Sequence, residues 1–171
     1  MKKALFLDLD GVHNVEVFIN ACYAICKKAN LNYNEQMRDK YGMLFCPTTI
    51  NQLEYIIKET GADIVISSTW RYSGLSVMQA MWKDRGLPGS VIGVTPILRI
   101  HNDEGSFKER AERGREIAKW LSENKVDAYC IIDDDNDCLP EQEKYFIQTD
   151  AMYGLTHKHA LKAIEILNNE D

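Results

Sequence analysis

The feature that most constrains this chain is a series of short apolar runs that end on acidic or hydroxyl residues. Ala4 to Leu9 leads into Asp10-Gly11, and Ala62 to Ser67 leads into Ser68-Thr69. Val91 to Val94 is a shorter run, Tyr129 to Ile132 ends at Asp133, and Tyr145 to Gln148 adds a fifth. Uninterrupted apolar runs of this length mark strands buried on both faces of a parallel sheet. Helical spacing fills the intervals. Residues 14–31 place Val17, Phe18, Ala21, Ile25 and Ala29 at core spacing. Thr48 or Thr49 caps a helix through Leu53, Ile56 and Ile57 to Gly61, and residues 75–85 put Val77, Met78, Met81 and Trp82 on one side. Ser106 to Asn124 is amphipathic around Ile117, Trp120 and Leu121, and His157 to Leu167 closes the chain. Residues 32–47 show no clear period. The alternation predicts an α/β fold: an open, Rossmann-like, mostly parallel sheet with helices on both faces. At 171 residues the chain is expected to form one domain.

Composition narrows the function classes. Hydrophobic residues make up 45%, enough for a core and too many for a disordered chain. The 20 Lys and Arg against 26 Asp and Glu give a net charge of −6, unlike a dedicated nucleic-acid binder, although a local basic cleft stays open. No apolar run is long enough to span a membrane. Asp8 and Asp10 cut the N-terminal run below a secretory core, so a cytoplasmic protein is expected. Five cysteines without a Cys-x-x-Cys pair are expected to be reduced thiols, with Cys22 and Cys26 on one helix face. His157 and His159 lack ligand-spaced partners and read as surface residues, not a zinc site.

In open α/β sheets, ligands bind beyond the carboxyl ends of the strands. Asp8 and Asp10 are two apart at the end of the first run, so they share one side about 7 Å apart along the strand. The competing reading is an ordinary Asp-Gly turn. Asp133-Asp134-Asp135-Asn136-Asp137 is either a solvated acidic loop or the second half of a cation site. Brought together on adjacent strands, the two acidic ends make an all-oxygen site suited to Mg²⁺. Ser67 and Ser68 end the second run, where hydroxyls either hold a phosphate oxygen or cap a helix. Arg71 is either a phosphate fork or a surface charge. Among Lys108, Arg110, Arg113 and Arg115, most form a solvated face and one cation is free to point at the cleft.

In this order the pieces resemble the haloacid dehalogenase (HAD) superfamily of phosphotransferases. Asp8-Leu9-Asp10-Gly11-Val12 is similar to its first motif, Ser68 (with Ser67 as rival) to its second, Arg113 to the third-motif cation, and Asp133-Asp134 to the paired acids of the fourth. The chain more closely resembles the HAD domain of Swiss Army Knife RNA repair proteins. The similar features are Ser67-Ser68-Thr69-Trp70-Arg71, Gly93-Val94-Thr95-Pro96, Arg113 to Leu121, and Gln148-Thr149-Asp150 before Gly154-Leu155-Thr156. His13 departs from the pattern, which has Leu there.

The resemblance implies a Mg²⁺-dependent phosphomonoester hydrolase. Asp8 would be the nucleophile, and Asp10 the acid and then base. Asp8, the Asp10 backbone carbonyl, Asp133 and Asp134 would hold the metal, and Ser68 and Arg113 the phosphate oxygens. It also implies a small cap-like insert around residues 14–46 and an open cleft. That cleft suits a phosphorylated small molecule, a nucleotide or a polynucleotide end, or a separate partner that closes it. A metal-dependent nuclease and a non-catalytic binding module of the same fold are the competing functions.

Overall fold

The computed structural model describes residues 1–101, 107–110 and 112–169. In chain order its strands are β1 (Lys3–Leu7), β2 (Arg38–Asp39), β3 (Gly42–Met43), β4 (Asp63–Ile66), β5 (Val91–Val94), β6 (Arg99–His101), β7 (Phe107–Arg110), β8 (Ala128–Asp133) and β9 (Phe146–Gln148). Its helices are α1 (Glu16–Ala29), α2 (Tyr33–Met37), α3 (Pro47–Thr60), α4 (Leu75–Asp84), α5 (Arg113–Glu123) and α6 (His157–Asn168).

Five strands form one parallel sheet in the order β5-β4-β1-β8-β9. Strand β1 is central. Alternate side chains point to opposite faces. Leu5 and Leu7 therefore join a core with Leu53, Ile56, Met81 and Ala163 from α3, α4 and α6. Ala4 and Phe6 join a second core with Ile117 and Trp120 from α5. Phe6 meets Trp120 edge to face at 5.4 Å. The fold is thus an α/β sheet with helices on both faces. No described helix is long and apolar enough to cross a membrane.

Three local expectations change. Helix α1 forms, but Val17 and Ile25 are 47% and 64% exposed. It packs on α2 rather than the sheet, so only one flank, around Phe18, Cys22 and Cys26, finds cover. Helix α3 starts at Pro47, with Thr49 turned inward instead of capping: its hydroxyl donates to the Cys46 carbonyl at 2.8 Å. Helix α5 begins at Arg113, and Phe107–Arg110 is a strand that pairs with β6. Ser106, its expected start, lies outside the described residues. The start is set from a distance: the Asp137 carboxylate accepts the Arg113 N–H at 3.0 Å, and the Asp137 carbonyl accepts the Gly114 N–H at 3.0 Å.

The cysteines are all free thiols. His157 is exposed and bonds Gln52 at 3.2 Å. His159 is half-buried and completes the Thr156 capping box of α6.

Candidate active site

Sheet register builds the site. Leu7 pairs with Ile132 on one side and Ile66 on the other. One residue further, the Asp8 N–H donates to the Ile132 carbonyl, and the Ser67 N–H donates to the Leu7 carbonyl, both at 3.0 Å. Asp8 is therefore flanked by Asp133 and by the Ser67-Ser68 pair. Asp8 and Asp133 are both buried. Oxygens of Asp8, Asp133 and Asp134 lie within 4.8 Å of one another. Burial pushes the Asp8 carboxyl up to about 7, against the opposing pull of Arg113 and a Ser68 hydrogen bond. Burial, then the Asp8 charge, pushes Asp133 up to about 8. Burial raises Asp134 as well, though it is less enclosed.

Arg113 answers this charge. Its Nη2 is 3.7 Å from Asp8 Oδ1 and its Nε is 3.7 Å from Asp133 Oδ2. Its Nη1 is buried without a hydrogen-bond partner. The side chain stands on the first turn of α5, which is buttoned to the acidic loop. A Cβ on Gly114 would fall 2.5 Å from the Leu139 nitrogen, and Gln142 donates to the Gly114 carbonyl at 2.9 Å. Arg115 points away, 3.3 Å from Glu112. Lys108 and Arg110 lie on β7, not on the helix.

The Ser68 side chain accepts the Trp70 N–H at 3.5 Å and lies beside Asp8, whose carboxyl it helps to hold down against burial. Ser67 is fully buried and its hydroxyl has no partner. Arg71 is neither phosphate fork nor surface charge. It is 4% exposed, donates to the Ser67 and Ser68 carbonyls at 3.1 and 2.7 Å, and pairs with buried Glu116. Its Nη1 and Nη2 hold the Ser67-Ser68 turn to α5, because a buried guanidinium without a carboxylate would be strongly disfavoured.

Asp10 is exposed beside this cluster, and its side chain is not in the acidic triad. Asn14 donates to its Oδ1 at 2.8 Å and the Trp70 indole N–H to its Oδ2 at 3.0 Å. Gly11 has φ +70, and a Cβ there would fall 2.2 Å from the Asp134 carboxyl. That turn thus requires glycine. Thr149 donates to the Gly11 carbonyl at 3.0 Å, and the Leu155 N–H donates to the Val12 carbonyl at 3.1 Å. The loop after β9 thereby clamps the loop after β1.

The chain matches the profile of the HAD domain in Swiss Army Knife RNA repair proteins over residues 4–160. It belongs to that family. The HAD domain is also similar to the crystal structure of a phosphoserine phosphohydrolase-like protein from Francisella tularensis subsp. tularensis SCHU S4. That similarity has 16% identity and a TM-score of 0.40, covering 86% of this chain and 87% of the other. No curated protein matches.

The acidic triad of this HAD domain fits a hard divalent cation. Its donors are all oxygens, and Asp133 Oδ2 is buried without a hydrogen-bond partner. Sequence reasoning assigned no role to Asn14, Glu116 or Thr149, and read Asp137 only within the acidic run after β8, not as the acceptor at the start of α5. Each acts through hydrogen bonds to a residue whose own motif was visible. Trp70 was visible within Ser67-Ser68-Thr69-Trp70-Arg71, but its bond to Asp10 spans 60 positions.

Proposed function

We infer that this HAD domain is a Mg²⁺-dependent phosphomonoester hydrolase working through an aspartyl-phosphate on Asp8. The observation that carries the reading is buried Asp8 with Arg113 Nη2 3.7 Å from its Oδ1, beside the Ser68 side chain. A nucleophile, a hydroxyl and a cation thus converge on one point. Asp8, Asp133, Asp134 and the Asp10 carbonyl would hold Mg²⁺. When bound, the cation supplies charge neutralisation between the nucleophile and the phosphate.

The chain's own residues carry the steps. The Asp8 carboxylate attacks phosphorus, the bond to the leaving oxygen breaks, and Asp10 gives that oxygen its proton. Asp10, then a carboxylate, takes a proton from water. The water oxygen bonds to phosphorus, the Asp8–phosphorus bond breaks, and inorganic phosphate leaves. Asn14 and Trp70 hold the Asp10 carboxylate in place. The unpartnered Arg113 Nη1 and Ser67 hydroxyl are spare donors for phosphate oxygens. In this reading residues 14–46 act as a small cap that leaves the cleft open. Nucleotides and nucleic-acid ends are the proposed substrates, in keeping with the RNA repair named in the family's description.

The test is hydrolysis of p-nitrophenyl phosphate with Mg²⁺ or chelator, beside a labelled oligonucleotide. Turnover should require Mg²⁺, vanish in Asp8→Asn, and leave internal phosphodiesters uncut. Beryllium fluoride should be trapped on the Asp8 carboxylate. Near-normal turnover in Asp8→Asn would refute the nucleophile role. Asp10→Asn should lose ~10²-fold or more on alkyl phosphates and less on p-nitrophenyl phosphate, whose leaving group needs less protonation.

A further inference from the structure

A cavity of ≈ 430 Å³ opens on Asp10 beside the reaction centre, lined by Asn14, Arg38, Tyr41, Met43 and Trp70 among others. Its position next to the residue that protonates the leaving oxygen makes it the place where the rest of the leaving group sits. We propose that this cavity selects a leaving alcohol in which a flat ring carries a second anionic group. The proposal rests on the phosphatase reading above.

The anion is assigned to Arg38. Strands β2 and β3 pair Arg38 with Met43 and Asp39 with Gly42, and neighbouring side chains face opposite ways. Asp39 turns to the fold: Arg85 Nε and Nη2 donate to its two oxygens, each at 2.8 Å. Lys40 is paired with Asp84 at 2.8 Å. Arg38 shares the cavity side with Met43, is exposed, and has no carboxylate at ion-pair distance among the described residues. Every other charge of this hairpin anchors it to the end of α4. Arg38 alone is directed at the space beside Asp10, in a chain with a net charge of −6.

The ring is assigned to Trp70 and Tyr41, whose side chains are already immobilised. The Tyr41 hydroxyl donates to Asp84 at 2.7 Å. The Trp70 indole is tied to Asp10, packs on Phe45 at 5.5 Å, and lies under the Arg85 guanidinium at 5.6 Å. A Cβ on Gly42 would fall 3.1 Å from its edge. Fixed aromatic walls lose little freedom when a flat ring packs on them, which favours such a ligand. The volume lies within the range of small-molecule sites, roughly 300–1,000 Å³. A short alkyl phosphate would leave most of it to water.

The test compares para-(carboxyethyl)phenyl phosphate with para-ethylphenyl phosphate. Two methylenes insulate the carboxylate, so the two phenols leave equally well. Wild-type enzyme should show a KM on the order of tenfold lower for the carboxylate ester, about 1.4 kcal/mol. Added salt should shrink this difference. Arg38→Gln should abolish it, Arg38→Lys should restore part of it, and the KM for the ethylphenyl ester should change by less than that for the carboxylate ester. An alkyl phosphate bearing the same carboxylate should have the higher KM; an equal KM would overturn the ring assignment. No wild-type preference, or equal effects of Arg38→Gln on both esters, would overturn the anion assignment while leaving the phosphatase reading intact. If neither ester is hydrolysed, the phosphatase reading fails, and calorimetric binding of the two phenols decides the cavity. Tighter binding of the carboxylate phenol that depends on Arg38 sustains the selection; equal or absent binding overturns it.

Discussion

His13 follows the Asp8-to-Val12 motif directly and is fully buried, with its ring 5.7 Å from Phe45. Its Nδ1 is 3.0 Å from the Thr49 hydroxyl, whose proton goes to the Cys46 carbonyl. Nδ1 is therefore the N–H donor, and Nε2 is a bare, buried nitrogen without a partner. Protonating Nε2 would create a buried charge with nothing to receive it, so burial pulls the pKa down to about 3 from 6.5. The stability this group contributes is fully present above its unfolded value and is lost as pH falls toward the folded one. Each pH unit in that window is worth about 1.4 kcal/mol, so about pH 4.5, two units below 6.5, costs the wild type about 2.7 kcal/mol. His13→Leu removes the titration and one hydrogen bond of about 1 kcal/mol. Denaturant unfolding should place the variant within about 1 kcal/mol of wild type near pH 7.5, and roughly 2–3 kcal/mol above its pH 7.5 difference near pH 4.5. Other titrating carboxyls act in both proteins and cancel in the comparison. A wild-type-to-variant difference that stays constant between the two pH values would refute the buried neutral imidazole.

Asp8 and Asp133, raised to about 7 and about 8, stabilise the metal-free fold fully below their unfolded value, and this is lost as pH rises through 7–8. The melting temperature in chelator should therefore fall from about pH 5 to about pH 8.5, with Mg²⁺ reversing the fall in wild type but not in Asp133→Asn. Glu116→Ala strands the buried Arg71 and should cost about 3–5 kcal/mol in unfolding free energy, with Arg71→Met in the same chain recovering part of it. Gly11→Ala meets the Asp134 carboxyl and a φ of +70, so it should lose about 1–2 kcal/mol and weaken the Mg²⁺-induced melting shift.

The central strands were legible because burial on both faces leaves no room for a polar residue, so Leu5-Phe6-Leu7 and Ile64-Val65-Ile66 carry the sheet in their composition. The acids and hydroxyls at their ends were legible because a strand end is where such residues can face a cleft. The structure brings Asp8, Ser68, Arg113, Asp133 and Asp134 together, and leaves the Asp10 side chain beside them on Asn14 and Trp70. Helix α1 looked like a core helix because spacing reports a stripe but not what covers it. Arg71 could not be placed from sequence, since its carboxylate partner lies 45 positions away. The start of α5 was hidden for the same reason: Asp137, 24 positions on, supplies the acceptor that the residue before Arg113 does not. Local composition thus determined which segments were strands and which residues stood at their ends. Only tertiary packing decided which of those residues were spent on one another and which were left for a ligand, because a buried charge takes its partner from whatever the fold brings within reach.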